Sequence, residues 1–166
     1  MWYRTVILSG FLCVLATVMV SGQGMDNVTL YKILDSVTES LEGSEGMWQI
    51  EYSDRTMLVI TDEKHDRMRI ITPVDLVDEV TPDQMENAMI ANFHSVLDVR
   101  YAVSDDILWA AFLHPLTSVS EDEVRDALLQ VYRAAETFGS TYSSTELIFP
   151  GSSGSEEKKK EGKKKM

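Results

Sequence analysis

The sequence predicts an α+β domain: an antiparallel sheet of five strands with three helices, in the order α-β-β-β-α-β-β-α. Three observations carry this prediction. Two segments, Thr81-Pro82-Asp83-Gln84 and Ser120-Glu121-Asp122-Glu123, have the Ser/Thr-x-x-Glu/Gln pattern of a capping box and open runs of helical period. Three strand-like runs between residues 47 and 74 are joined by links too short for a parallel crossover. The run Ile107-Leu108-Trp109-Ala110-Ala111-Phe112-Leu113 carries no charge, and such a stretch reads as a strand apolar on both faces. Helices on one side of an antiparallel sheet cover only one of those faces.

Helix one is expected from Asn27, with Leu30, Ile33, Leu34, Val37 and Leu41 at helical spacing and Gly43 as a left-handed stop. Asn27-Val28-Thr29 is also a glycosylation sequon, relevant only in a eukaryotic secretory pathway; in a bacterium Asn27 reads as a capping residue. The first strand, Met47 to Ser53, sets Trp48, Ile50 and Tyr52 against Gln49 and Glu51, the alternation of a half-exposed edge. The second, Thr56 to Asp62, is apolar on both faces at Met57-Leu58-Val59-Ile60. In the third, Arg67 to Val74, Met68, Ile70 and Thr72 oppose Arg67, Arg69 and Ile71, and Pro73 closes the run. Helix two, starting at Thr81 with Pro82 in its first turn, is expected to bury Met85, Ala88, Met89 and Phe93 and to reach about Leu97. Strands Val99 to Val103 and Ile107 to His114 follow, joined by Ser104-Asp105-Asp106. Helix three buries Val124, Leu128, Val131, Ala135 and Phe138 and stops at Gly139. The later cluster Leu147-Ile148-Phe149 fits either a short strand or a hook onto the core.

A chain of 166 residues, 44% of them hydrophobic, suits one domain with a sizeable core, placed at residues 25–150. Residues 1–24 have the layout of a secretory signal: Arg4, an apolar run from Val6 to Val20, then Ser21 and Gly22 before Gln23. That run is shorter than the roughly 20 residues a membrane-crossing helix needs, which favours a cleaved signal and a periplasmic or secreted domain over a membrane anchor. Cys13 is the only cysteine and lies inside the run, so the remaining chain has no disulfide. Residues 151–166 hold Gly, Ser, Glu and Lys almost alone, the composition of a disordered, lysine-rich tail.

Charge narrows the partners. Residues 25–154 contain 24 acidic and 8 basic residues, a balance of −16 that repels nucleic acid and anionic lipid from the folded surface. No phosphate loop, serine elbow or kinase signature occurs. His65, His94 and His114 each lack a second His or Cys within five residues, so neither a metal site nor a cofactor is expected. Asp98, four residues after His94, is the nearest pairing candidate. The acidic clusters at 62–63, 75–79, 105–106 and 121–123 lack the spacing of a calcium loop and read as turns and helix starts. Met57, Met68, Met85 and Met89 read as core-filling residues on apolar faces.

Arg69-Ile70-Ile71-Thr72-Pro73-Val74, Ala91-Asn92-Phe93, Val99-Arg100-Tyr101-Ala102-Val103 and Leu108-Trp109-Ala110 together resemble the bacterial type III secretion chaperone-like superfamily. The likeness is strongest to its YbjN-type branch, described as sensory transduction regulators, and spans roughly residues 27–140. It rests on the order of elements. The resemblance implies a small acidic α+β domain that works without a cofactor, often as a dimer, and holds a client chain along its sheet and helix surfaces. The signal-like start departs from the chaperones, which act in the cytoplasm.

These readings converge on a non-enzymatic protein-binding domain, exported from a bacterial cytoplasm, that uses the spare face or an edge of its sheet to hold a partner or a second copy. Strand addition at the Gln49–Glu51 edge is the expected binding mode, with Trp48, Trp109 and Phe112 as contacts unless they serve the core instead. The alternatives are a small-molecule or lipid-binding module with a pocket under helix two, and an enzyme of unfamiliar type.

Overall fold

The computed structural model of the chain describes residues 24–145. The signal segment, apart from Gly24, the Leu147-Ile148-Phe149 cluster and the tail 151–166 lie outside the described residues.

Helix α1, Asn27–Val37, is capped by Asp26, whose carboxylate accepts from the Thr29 amide at 2.7 Å. Asn27 is therefore not the cap. It is buried, and its side chain accepts from the Thr61 hydroxyl at 2.6 Å while donating to Glu45 at 3.3 Å, tying the helix start to the sheet.

The helix ends four residues earlier than its apolar spacing suggests. Thr38 turns its amide and hydroxyl back to the Leu34 carbonyl, and the chain then leaves as strand β1, Ser40–Ser44. β1 pairs antiparallel with β2, Met47–Tyr52, through the two-residue turn Glu45-Gly46. Leu41 lies opposite Ile50 in this pair, so its apolar character belongs to the sheet. Gly43 has φ +119°, and a Cβ there would lie 2.4 Å from the Met47 carbonyl oxygen; the glycine serves the hairpin's close approach, not a helix stop. The sheet consequently has six strands, one more than expected, and β2 is interior.

Strands β3, Arg55–Asp62, and β4, Arg67–Leu76, continue the meander. β5, Val99–Ser104, and β6, Ile107–His114, complete a sheet of order β1-β2-β3-β4-β6-β5, antiparallel throughout. Ser53-Asp54 and Asp105-Asp106 form two-residue hairpin turns with positive φ at both positions, a conformation that aspartate tolerates. β4 runs past Pro73, where the sequence suggested it would close. Its pairing with β3 ends at Ile71, and a register shift follows Pro73 on the β6 side, so the missing amide interrupts little.

Helix α2, Pro82–His94, has the expected capping box at Thr81 and Gln84 but stops three residues short of Leu97. It rests on β5 through Ala88 and Ala91, leaving Met89 exposed and Phe93 85% exposed, contrary to their expected burial. Two small residues at i, i+3 let the helix approach the strand closely and rotate its larger side chains outward. Helix α3, Glu121–Glu136, starts from the Ser120–Glu123 capping box and crosses β4, β5 and β6 with Val124, Ala127, Leu128, Val131, Ala134 and Ala135 buried.

All three helices lie on one side of the sheet, and the core fills the space between. From the sheet it receives Trp48, Ile50, Met57, Val59, Met68, Ile70, Val99, Tyr101, Leu108, Ala110 and Phe112. Met57 and Met68 fill core, as expected; Met85 is half-buried and packs against it.

Candidate functional site: the uncovered face of the sheet

Side chains alternate across each strand, so the residues between those core positions point to the other face. The pairing registers arrange them in rows across the sheet. The central row runs Glu42, Gln49, Leu58, Ile71, Ala111, Arg100 from β1 to β5. Beside it lies Met47, Ile60, Arg69, Leu113, and on the other flank Pro73, Trp109, Ala102. Leu58, Ile60, Ile71 and Trp109 are half-buried by their neighbours, while Leu113 is 53% exposed. None of these apolar side chains belongs to the core cluster, and no described helix covers them. This apolar stripe ends at Glu42 and Arg100 and carries Arg69 within it; an exposed apolar surface bounded by polar groups is the usual signature of a surface that meets another molecule.

Of the three expected contact residues, only Trp109 lies on this face. Its indole donates to the Ser104 carbonyl at 3.1 Å, which fixes the ring along the end of β6. Trp48 and Phe112 are 3% and 4% exposed on the helix side, where they serve the core; as contacts for a partner they are corrected. The face depends instead on Leu58, Ile60, Ile71, Ala111 and Leu113, which the sequence reading passed over. The signal for them was parity within β6: Trp109, Ala111 and Leu113 share one side, Leu108, Ala110 and Phe112 the other.

The edges are also unlike the expected ones. β2 is paired on both sides, so strand addition at Gln49–Glu51 is not available. At the β5 edge, the Val99 amide donates to the Val96 carbonyl at 3.0 Å and the Val99 carbonyl accepts from Arg100. The Asn92 side chain from α2 accepts from the Tyr101 amide at 2.7 Å and donates to its carbonyl at 3.1 Å, taking the place of a neighbouring strand. β1, five residues long, is the less protected edge.

The histidines do not assemble a site. His65 bonds Asp62 at 2.6 Å, and that contact holds the Asp62 carboxyl below its usual range. His94 meets the Phe93 ring edge-on, and His114 stacks on Phe112 and bonds the Pro115 carbonyl. Among the described residues no group of three His, Cys, Asp or Glu side chains is arranged to hold a metal ion. A cavity of about 140 Å³ between β6 and α3 is lined by Asp98, His114, Glu123 and Asp126, but Gln130 spans it, bonding the Asp98 amide and the Asp126 carboxylate. A wider cleft, about 370 Å³, opens between Val28, Tyr31 and Lys32 of α1 and the β1–β2 hairpin at Gly43 and Trp48. No described helix is long and apolar enough to cross a membrane.

No family model and no curated protein matches the sequence. Solved structures do match the fold. The type III secretion chaperone SycH of Yersinia pestis, solved in complex with a stable fragment of YscM2, superposes with a TM-score of 0.54 at 14% identity, covering 68% of this chain and 98% of that one. SchA of the HopA1–SchA chaperone–effector complex gives 0.52 at 10% identity, over 68% and 94%. The domain therefore has the α+β fold of type III secretion chaperones, with β1 making a sixth strand. In both of those complexes the chaperone holds another polypeptide.

Proposed function

We propose that the chain is a non-enzymatic protein-binding domain that holds another polypeptide against the uncovered face of its sheet, and that it works outside the cytoplasm. One observation carries the first part: the stripe of Leu58, Ile60, Ile71, Trp109, Ala111 and Leu113 outside the core, on the side of the sheet away from all three helices. Taking such a stripe out of water stabilises a complex at roughly 25 cal/mol per Å² of apolar surface, and the fold is shared with chaperones solved with bound chains. Export is supported by the signal-like layout of residues 1–24. The residues quoted for the YbjN-type branch make an exported relative of that branch the best description of the whole chain.

The cleft between α1 and the β1–β2 hairpin favours a second reading, a small-molecule or lipid-binding module, because Val28 and Tyr31 present apolar surface beside Lys32. This cleft lies under α1, whereas the sequence placed the expected pocket under helix two.

Native mass spectrometry of the full chain, isolated from its host without refolding, separates the two. The protein-binding reading expects a species containing a second polypeptide, lost in Leu113→Asp. A retained small ligand, lost in Tyr31→Ala, would favour the second reading. A bare monomer in both the wild type and the variants would contradict both.

A further inference from the structure

Helix α2 presents a second exposed apolar surface, separate from the bare face of the sheet. Successive helical residues turn by about 100°, so Ala88 and Ala91 face β5 while Met89, Ile90 and Phe93 fall together on the opposite side. Phe93, 85% exposed, is the most exposed large apolar side chain among the described residues. The same side carries Glu86 and Asp83 nearer the helix start, and Asp78 and Glu79 lie just before its cap, all four exposed. The stripe is thus apolar in the C-terminal half of α2 and acidic in the N-terminal half. Residues 142–144 are pinned beside the apolar half. Ser95 caps α2; its hydroxyl donates to the Tyr142 carbonyl at 2.6 Å, and its carbonyl accepts from the Ser144 amide at 3.1 Å. That anchor lies about half a turn beyond Phe93. Leu147-Ile148-Phe149 begins three residues after Ser144, a span of at most about 10 Å. Between residues 156 and 165 there follow six lysines and three glutamates.

We infer that Leu147-Ile148-Phe149 packs on Met89, Ile90 and Phe93 of the same chain, and that the lysines after it run back along α2 over Glu86, Asp83, Asp78 and Glu79. The order of the segment matches the order of the stripe: apolar residues leave the anchor first and basic residues come after. From Phe93 back to Asp83 the helix covers about 15 Å. The nine residues from Phe149 to Lys158 span up to about 30 Å, so the lysines reach the acidic half with slack. Removing apolar side chains of both segments from water holds this strap in place, and the opposite charges set its direction. With α2 covered from within, its apolar face is closed to other chains while the sheet face stays open to a partner. Failure of this inference leaves the sheet-face reading untouched, because the two concern different elements.

Peroxide oxidation of the methionines in the purified full chain, followed residue by residue by mass spectrometry, tests this. Within residues 24–145 Met89 and Met47 are similarly exposed, 48% and 57%, but only Met89 lies beneath the strap. In the wild type Met89 is expected to oxidise severalfold more slowly than Met47. Leu147→Asp with Phe149→Asp should bring Met89 to the rate of Met47 and leave Met47 unchanged. On a Cys13→Ser background, Ile90→Cys with Ile148→Cys should close a disulfide within one chain. Asp35→Cys with Ile148→Cys should not, because α1 lies at the β1 edge, about 24 Å from the β5 edge beneath α2. Equal rates at Met89 and Met47 in the wild type would overturn the inference. So would protection of Met89 that grows with protein concentration, or an Ile90–Ile148 cysteine pair that links only between chains, since either result gives the α2 face to a second copy.

Discussion

Asn92 closes the β5 edge at Tyr101: one side-chain amide takes both the amide and the carbonyl of that residue, at 2.7 Å and 3.1 Å. A strand edge with free backbone groups is a template for pairing, and here a helix supplies the missing partner. Asn92→Ala is expected to cost about 1–3 kcal/mol in urea unfolding, since it leaves two backbone groups unpaired. The Tyr101 amide should exchange with solvent markedly faster. Asn92→Asp keeps the acceptor but sets a carboxylate against the carbonyl, so it should protect that amide while remaining less stable than the wild type.

Tyr101 joins the same strand to α3 from the other side. Its hydroxyl donates to the Ala134 carbonyl at 2.6 Å, satisfying an acceptor in the last turn of the helix. Burial raises the phenol far above its ordinary value, so it stays a protonated donor across the range in which the protein is folded. Tyr101→Phe should lose about 1 kcal/mol without change of fold, measurable as a shifted urea midpoint at constant slope.

The two faces of the sheet should respond differently to truncation. Ile70, fully buried among the helices, should cost about 2–5 kcal/mol as Ile70→Ala. Leu113→Asp, in the purified chain without a partner, should change stability by less than about 1 kcal/mol. Urea titrations of both variants at low protein concentration make the comparison. Equal losses would mean that Leu113 belongs to a core.

Acid should release one tie between the sheet and the Leu116–Ser118 turn. Asp66 accepts from the Thr117 amide at 2.7 Å and from its hydroxyl at 3.1 Å, and these bonds hold its carboxyl below the ordinary 3.8. A carboxylate with a depressed folded value contributes stability that is fully present above the unfolded value and lost as pH falls through the folded one. The melting difference between wild type and Asp66→Asn should thus be constant near neutral pH and shrink below about pH 4. Asparagine tolerates the positive φ of 52° at this position, which keeps the comparison to the charge.

Most of the fold was legible because its signals are local. Both capping boxes form as read, and the two-faced pattern of Ile107–Leu113 and Met57–Ile60 gave two strands of one sheet, on either side of β4, with one face each in the core. What failed depended on distant partners. Leu41 fits a helical period and a strand equally well, and only the β2 register decides for the strand. Met89 and Phe93 fit the apolar stripe of α2, but the strand beneath accepts the Ala88 and Ala91 side instead. Trp48, Trp109 and Phe112 could not be sorted by composition, because a one-residue change of parity moves an aromatic ring from core to surface.

Photo-crosslinking in the host shows whether the uncovered face holds a polypeptide. A photoreactive side chain at position 113, on the uncovered face, is compared with one at position 122, on the exposed side of α3. Position 113 should yield a covalent product with a polypeptide, and position 122 should yield none. If position 113 forms no polypeptide adduct in cells where the chain is folded and at its normal level, the uncovered face is not a protein-binding surface.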